Sequence, residues 1–337
     1  MEHSGFGGET GLSGDAARAS GDPTAEAKLA SMTLPVFTHP AMTRHSNGEH
    51  HPERPERLAT VLDALDAAGL GRDRREARPI ERLHLERIHP ASYIDAIIAA
   101  EPQSGHRRLD PDTAMAPGSL EAALRAAGAV TDAALAVVRG ETDRAFCAVR
   151  PPGHHAEPEL AMGFCLFSNA AVAARAVQAA GTGRVAVIDF DVHHGNGTQA
   201  CFAEDPSLFL GSIHQSPLYP GSGAESETGV GNIVNATVPP MAPRELWRKR
   251  FADRLMPELD AFAPDLILIS AGFDAYCNDP LSQQALEAED FAWATRAILE
   301  VARRRCAGRV VSTLEGGYDL EGLGRSAVAH VEALIEG

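Results

Sequence analysis

From residue 32 onward, short apolar runs alternate with longer stretches in which apolar positions recur at helical spacing, the pattern of βαβ units and a mainly parallel sheet. The apolar runs predict strands over residues 34–38, 145–149, 184–190, 208–213, 266–270 and 309–314. Between them, the 3.6-residue period predicts helices over 55–68, 119–138, 168–180 (with Ser168 as N-cap), 243–262 and 287–304, and a last helix after Gly322. Residues 1–31 are rich in Gly, Ser, Ala and Asp and nearly devoid of large apolar side chains. Such a segment cannot offset the entropy of ordering and is expected to be a disordered or flexible tail, leaving one domain over 32–337. Met32 is a second potential start site, and N-terminal sequencing of native protein distinguishes the two.

Composition narrows the function classes. With 337 residues, 44% hydrophobic and 23% charged, the chain can bury a large core. A formal net charge of -16 argues against a nucleic-acid partner, which requires a basic face, and is compatible with a cationic small substrate or a basic tail. The same charge also serves plain solubility. The five cysteines are odd in number and never spaced as CxxC, so neither a disulfide framework nor a thiolate zinc site is suggested. No apolar run approaches the roughly 18 residues of a membrane span, and no basic start precedes an apolar stretch at the N-terminus. The expectation is a cytoplasmic protein with no membrane partner.

The candidate chemistry follows four of the strands, and in open parallel sheets ligands bind beyond the carboxyl ends of strands. The first of these strands leads into Arg150-Pro151-Pro152-Gly153-His154-His155, the next into Asp189-Phe190-Asp191-Val192-His193-His194-Gly195-Asn196-Gly197. The later two lead into Ala271-Gly272-Phe273-Asp274 and Glu315-Gly316-Gly317-Tyr318. Side chains two apart on an extended strand share a face, which would align Asp189, Asp191 and His193. Asp191, His193 and Asp274 could then form a three-ligand N/O site with an open position, the pattern of catalytic zinc. His154 and His155 follow a rigid Pro-Pro-Gly turn, and Gly316 and Gly317 let the backbone come close to a ligand beside Tyr318, a potential oxyanion donor.

These motifs, with His51-Pro52-Glu53-Arg54-Pro55-Glu56-Arg57 and Gly163-Phe164-Cys165, resemble the histone deacetylase superfamily, which includes bacterial deacetylase-like amidohydrolases and acetylpolyamine amidohydrolases. The likeness runs from about residue 36 to the C-terminus, and the His193–Gln199 run looks most like the class II branch. The resemblance implies the arginase/deacetylase fold, an open, mainly parallel sheet flanked by helices. It implies one zinc ion per chain on Asp191, His193 and Asp274, polarising an amide carbonyl and activating water. His155 would serve as general base and acid with Asn196 as its partner, His154 as electrostatic support oriented by Asp189, and Tyr318 as oxyanion donor. A structural potassium ion would take Asp189, Ser212 and the backbone of Asp191 and His193.

The resemblance also implies substrate contacts. Gly163, Phe164 and Tyr219 match the walls of an acyl-lysine channel in which the second aromatic is usually Phe, and Ser119 aligns with a rim residue that contacts the substrate backbone. Leu281 stands where related polyamine deacetylases carry a glutamate, which favours acetylated lysine in peptides or proteins over an acetylated polyamine. An arginase-like ureohydrolase would need further bridging carboxylates, whereas Gly195 stands at one such position and Phe273-Asp274-Ala275 supplies a single acid. A non-catalytic acyl-lysine binding module would have no need to keep base, ligands and oxyanion donor together.

Overall fold

Among the described residues of the computed structural model, Met1 and 34–337, the strands are β1 (Val36–Thr38), β2 (Arg74–Glu76), β3 (Arg107–Arg108), β4 (Ala114–Met115), β5 (Arg144–Cys147), β6 (Val185–Asp189), β7 (Leu208–Gln215), β8 (Ile233–Val238), β9 (Leu266–Ala271) and β10 (Val310–Leu314). The tail expected over residues 1–31 lies, Met1 apart, outside the described residues. Eight of the strands form one sheet in the order β2-β1-β5-β10-β9-β6-β7-β8, and β3 and β4 pair separately as an antiparallel ribbon. Every pairing in the large sheet is parallel. All residues of β6, β7, β9 and β10 are buried, including the polar Ser212, His214 and Gln215 of β7, as strands of a parallel sheet covered on both faces should be. The Ser119–Val138 helix packs on Asn169–Ala179, and Ala288–Arg305 on Leu320–Glu336, which also covers Glu56–Ala67.

The predicted sheet and its main helices are present, with differences that have physical causes. The strands β2 and β8 did not stand out in the sequence. β2 is three charged residues, Arg-Arg-Glu, on one edge, and β8, at the other edge, follows a long loop and carries Asn235 within its apolar run. The predicted helix over 243–262 forms, but a π-helical turn at Phe251–Leu255 interrupts it ahead of Met256–Phe262. Pro257 has no N–H to give to the turn before it, which accounts for the wider spacing. Ser168 occupies the N-cap position of Asn169–Ala179, yet its hydroxyl makes no capping bond and is buried without a partner. Its backbone N–H instead donates to His89 Nε2 at 3.0 Å.

A buried ion network ties the N-terminal segment to two of the loops that leave the sheet. Glu53 and Arg150 are both fully buried, and their contact is bidentate, Arg150 Nε to Oε1 at 2.5 Å and Nη2 to Oε2 at 2.7 Å. Arg57, one helical turn on, donates Nη1 to Glu53 at 3.2 Å, Nε to the Gly317 carbonyl at 2.6 Å and Nη2 to the Glu315 carbonyl at 2.6 Å. Burial alone would raise the Glu53 carboxyl, but the charges of Arg150, His45 and Arg57 and the Arg150 hydrogen bond together outweigh it and hold the group down at about 2.

Removing one member of such a network leaves its partners charged and unpaired, at a cost of about 3–5 kcal/mol. Glu53→Gln is expected to lower the urea midpoint by a stability loss of that order. A loss within about 1 kcal/mol of the parent would mean that the network contributes no more than a surface pair.

Candidate active site

Strands β5, β10, β9 and β6 are consecutive neighbours at the centre of the sheet, and because they are parallel their carboxyl ends lie along one edge. Four motifs far apart in the chain therefore meet there. β6 stops at Asp189, so Asp191 and His193 are not aligned by strand alternation as the sequence suggested. Two successive side-chain turns do this instead: Asp189 Oδ1 accepts from the Asp191 N–H at 3.0 Å, and Asp191 Oδ1 from the His193 N–H at 2.9 Å. Asp274, beyond β9, accepts from the Val192 N–H at 2.8 Å, which locks the two segments together.

The outcome is a buried cluster in which one ligand atom each from Asp191, His193 and Asp274 lies within 4.8 Å of the others. His193 Nδ1 is 3.0 Å from both Asp191 Oδ1 and Asp274 Oδ2. Burial would lower the imidazole, but the hydrogen bonds to Asp191 and Asp274 and the charges of those acids together outweigh it and lift His193 to about 10, while burial and the Asp191 charge push Asp274 up to about 7. Two carboxylates and one imidazole nitrogen, converging and shielded from water, suit a zinc-type ion with room for a further ligand. The backbone comes in close at Gly316, whose N–H donates to Asp191 Oδ2 at 2.8 Å and where a Cβ would sit 2.1 Å from Asp274 Oδ2.

The adjacent imidazoles have opposite surroundings. His154 Nδ1 is 3.0 Å from Asp189 Oδ2, and although burial opposes it, the charges of Asp191 and Asp189 raise His154 well above its usual range. The His155 ring lies 3.9 Å away between centroids, and its Nδ1 meets the neutral amide of Asn196, Oδ1 at 2.8 Å. Burial, with the charges of His154 and His193, keeps His155 well below its usual range. A cationic and a neutral imidazole side by side is an arrangement that separates electrostatic support from proton transfer. Glu315 fixes the loop that carries them, accepting from the Gly153 N–H at 2.6 Å and the His154 N–H at 3.2 Å.

Tyr318 is held from three sides. Asp279 Oδ2 accepts its backbone N–H at 2.7 Å, the Arg57 guanidinium lies 4.8 Å from its ring centroid, and Arg57 also grips the preceding carbonyl. Burial keeps the phenol well above its ordinary value, so it remains a donor at neutral pH.

A cavity of about 220 Å³ runs to these groups, with His155, His193 and Tyr318 among its lining and Phe164, Leu218, Tyr219 and Leu281 as apolar wall. Phe164 stands edge-on to Tyr318, ring centroids 5.9 Å apart, and Tyr219 edge-on to His155 at 5.2 Å. Gly163 has φ 56° and a Cβ there would strike His155 Cδ2 at 2.3 Å, so only glycine fits.

The structure thus brings together Asp191, His193, Asp274, His154, His155, Asp189, Asn196, Tyr318, Gly163, Phe164, Tyr219, Leu281, Gly316 and Gly317. Ser212 lies beside Asp189 in the β6–β7 register with its hydroxyl 3.0 Å from His214 Nδ1. Ser119 is not at the cavity: it is fully buried at the start of its helix, its hydroxyl 2.8 Å from His45 Nδ1. The partly exposed residue that joins the wall is Asp112, whose Oδ1 accepts from the Gly163 N–H at 3.1 Å. Asp112 sits in the run Asp110-Pro111-Asp112-Thr113, whose turn chemistry was the available signal. Sequence reasoning also gave no role to Arg57, Glu157, Asp279 or Glu315, whose work depends on which backbone groups face them.

The model of the histone deacetylase domain matches residues 51–334. A probable deacetylase of Archaeoglobus fulgidus is 36% identical over 299 residues, covering 86% of this chain and 83% of that protein. The histone deacetylase-like amidohydrolase of Pseudomonas aeruginosa is 39% identical over 276 residues, covering 80% of this chain and 72% of that one. Among solved structures, the crystal structure of the HDA15 HD domain superposes with a TM-score of 0.85 at 36% identity, covering 90% of this chain and 89% of that one. Fold, motifs and these likenesses agree that the chain belongs to the histone deacetylase family, with the arginase/deacetylase fold.

Proposed function

We propose that this chain is a zinc-dependent amidohydrolase that removes acetyl or similarly short acyl groups from lysine side chains of peptides or proteins. The observation that carries the reading is the buried Asp191–His193–Asp274 cluster at an apolar-walled cavity that His155 and Tyr318 also line. Bound there, a zinc ion supplies Lewis-acid polarisation of the amide carbonyl and activation of water. The neutral His155 takes the proton of the attacking water and returns it to the departing amine. His154, cationic beside Asp189, stabilises negative charge developing nearby, and Tyr318 donates its O–H to the oxyanion. A structural potassium ion at Asp189, Ser212 and the adjoining carbonyls belongs to the same reading.

The apolar wall supports the substrate choice. Leu281 gives an inner ammonium no partner, and the slot between Phe164 and Tyr219 suits a methylene chain. The partly exposed Asp112 carboxylate favours a second reading, an acetylated polyamine whose distal ammonium would meet that acid. Two-metal ureohydrolase chemistry is disfavoured, since a Cβ at Gly195 would already lie 2.3 Å from Asp189 Oδ2 and leaves no space for a bridging carboxylate.

Metal analysis should give one zinc per chain, removed by a chelator together with activity and restored by stoichiometric zinc; Asp274→Asn should bind it weakly, and two manganese ions per chain would sink the reading. Tyr318→Phe should keep its zinc and lose about 10²- to 10³-fold in kcat, whereas near-parental turnover would remove Tyr318 from the oxyanion role. With an acetyl-lysine peptide and acetylspermidine offered together, faster release of the peptide amine is expected, and faster release from the polyamine would reverse the substrate assignment while leaving the chemistry in place.

A further inference from the structure

The amide of Asn196 is held at both ends. Its Oδ1 lies 2.8 Å from His155 Nδ1, and its Nδ2 donates to Glu157 Oε1 at 2.8 Å. Glu157 is itself fixed by a short bridge to Leu160, its N–H donating to the Leu160 carbonyl at 3.0 Å. An asparagine amide can face a neighbour with either end, and a carboxylate only accepts, so Glu157 admits the NH₂ end alone. The carbonyl end must then face His155 Nδ1, which has to carry a hydrogen to satisfy it. The lone pair of His155 is left on Nε2.

We propose that Glu157, two residues after His155 and outside the cavity wall, is a positioning residue that orients the Asn196 amide and so fixes His155 in its Nδ1–H tautomer. Glu157 and Asn196 form a matched acceptor and donor, and this pairing accounts for an amide rather than a carboxylate at position 196. An aspartate there would face Glu157 with like charge. A glutamine at 157 would offer it a donor and restore the chain of hydrogen bonds with a carboxylate at its centre. The inference rests on His155 as the base of the proposed reaction.

The test is a double-mutant cycle on the zinc-loaded enzyme, with kcat and KM measured separately, accompanied by ¹⁵N NMR of the histidine rings in labelled protein, His155 being assigned by difference. Glu157→Gln removes the one partner that accepts only the NH₂ end and leaves Nδ2 its longer contacts to Met162 Sδ at 3.3 Å and the His155 carbonyl at 3.5 Å; it is expected to lower kcat about 10-fold with KM unchanged and to give His155 a mixture of tautomers. Asn196→Asp is expected to lose about 100-fold, and Glu157→Gln added to Asn196→Asp to recover at least about 10-fold of it. Additive losses in the double variant, or Glu157→Gln at parental kcat with His155 still wholly Nδ1–H, would overturn the proposal. The ring spectra need no turnover, so a parent enzyme that hydrolyses no acyl amine defeats the catalytic reading while the tautomer measurement still decides the role of Glu157.

Discussion

A carboxylate with no exposure to water has to find its solvation within the protein, and Glu53 finds it in Arg150, Arg57 and Asn47. Such a network adds little net stability over a well-packed apolar core, because desolvation consumes most of the Coulombic gain. What it supplies is geometry. Arg57 has a rigid fork of donors, and besides meeting Glu53 it gives one N–H each to the Gly317 and Glu315 carbonyls. The backbone around Tyr318 is thereby set by residues near the start of the described chain, and the loop bearing the histidine pair contains Arg150 itself. Loss of the Glu53 charge would release two sides of the site at once.

The parallel sheet converts this local order into a site. Placing β5, β10, β9 and β6 side by side brings four strand ends to one edge, so each motif needs only a short loop to reach the others. This much was legible in the sequence, because both-face burial leaves unbroken apolar runs and the reactive residues follow them directly. Edge strands carry no such signal: β2 is entirely charged, and nothing in Arg74-Arg75-Glu76 marks it as a partner of β1. The break at Phe251–Leu255 was signalled by Pro257, but the period of the surrounding apolar positions is so regular that a single helix was the natural reading.

For the site, legibility divides along the same line. Asp191, His193 and Asp274 could be grouped because ligand chemistry restricts residue type, although the mechanism of their alignment is a pair of side-chain turns and not strand alternation. Residues that act on backbone groups are invisible until the fold is known. Glu315 accepts from Gly153 and His154, and Asp279 accepts from Tyr318, yet in sequence each is one acid among 46. Ser119 illustrates the converse, a residue placed by alignment at a rim whose hydroxyl in fact binds His45 inside the protein. Position separates the two: Ser119 is buried at the start of its helix, while Asp112, in the turn between β3 and β4, remains where solvent reaches it.

The difference between the two imidazoles follows from what stands behind each. Asp189, Asp191 and Glu315 all bear on His154, and a carboxylate contacts its Nδ1 directly, so the cation is the favoured form despite complete burial. His155 has only an amide behind it and a charged ring beside it, so the neutral form is favoured. Gly195 protects this division. A side chain there would collide with Asp189 Oδ2 and come within 3.5 Å of His154 Nδ1, displacing the carboxylate that contacts that nitrogen directly. A second metal with its own bridging acid would draw Asp189 away in the same manner, and His154 would then lose the carboxylate hydrogen-bonded to its Nδ1. On the proposed reading, then, one metal and one charged histidine are a single electrostatic choice, made where the backbone passes Asp189 without a side chain.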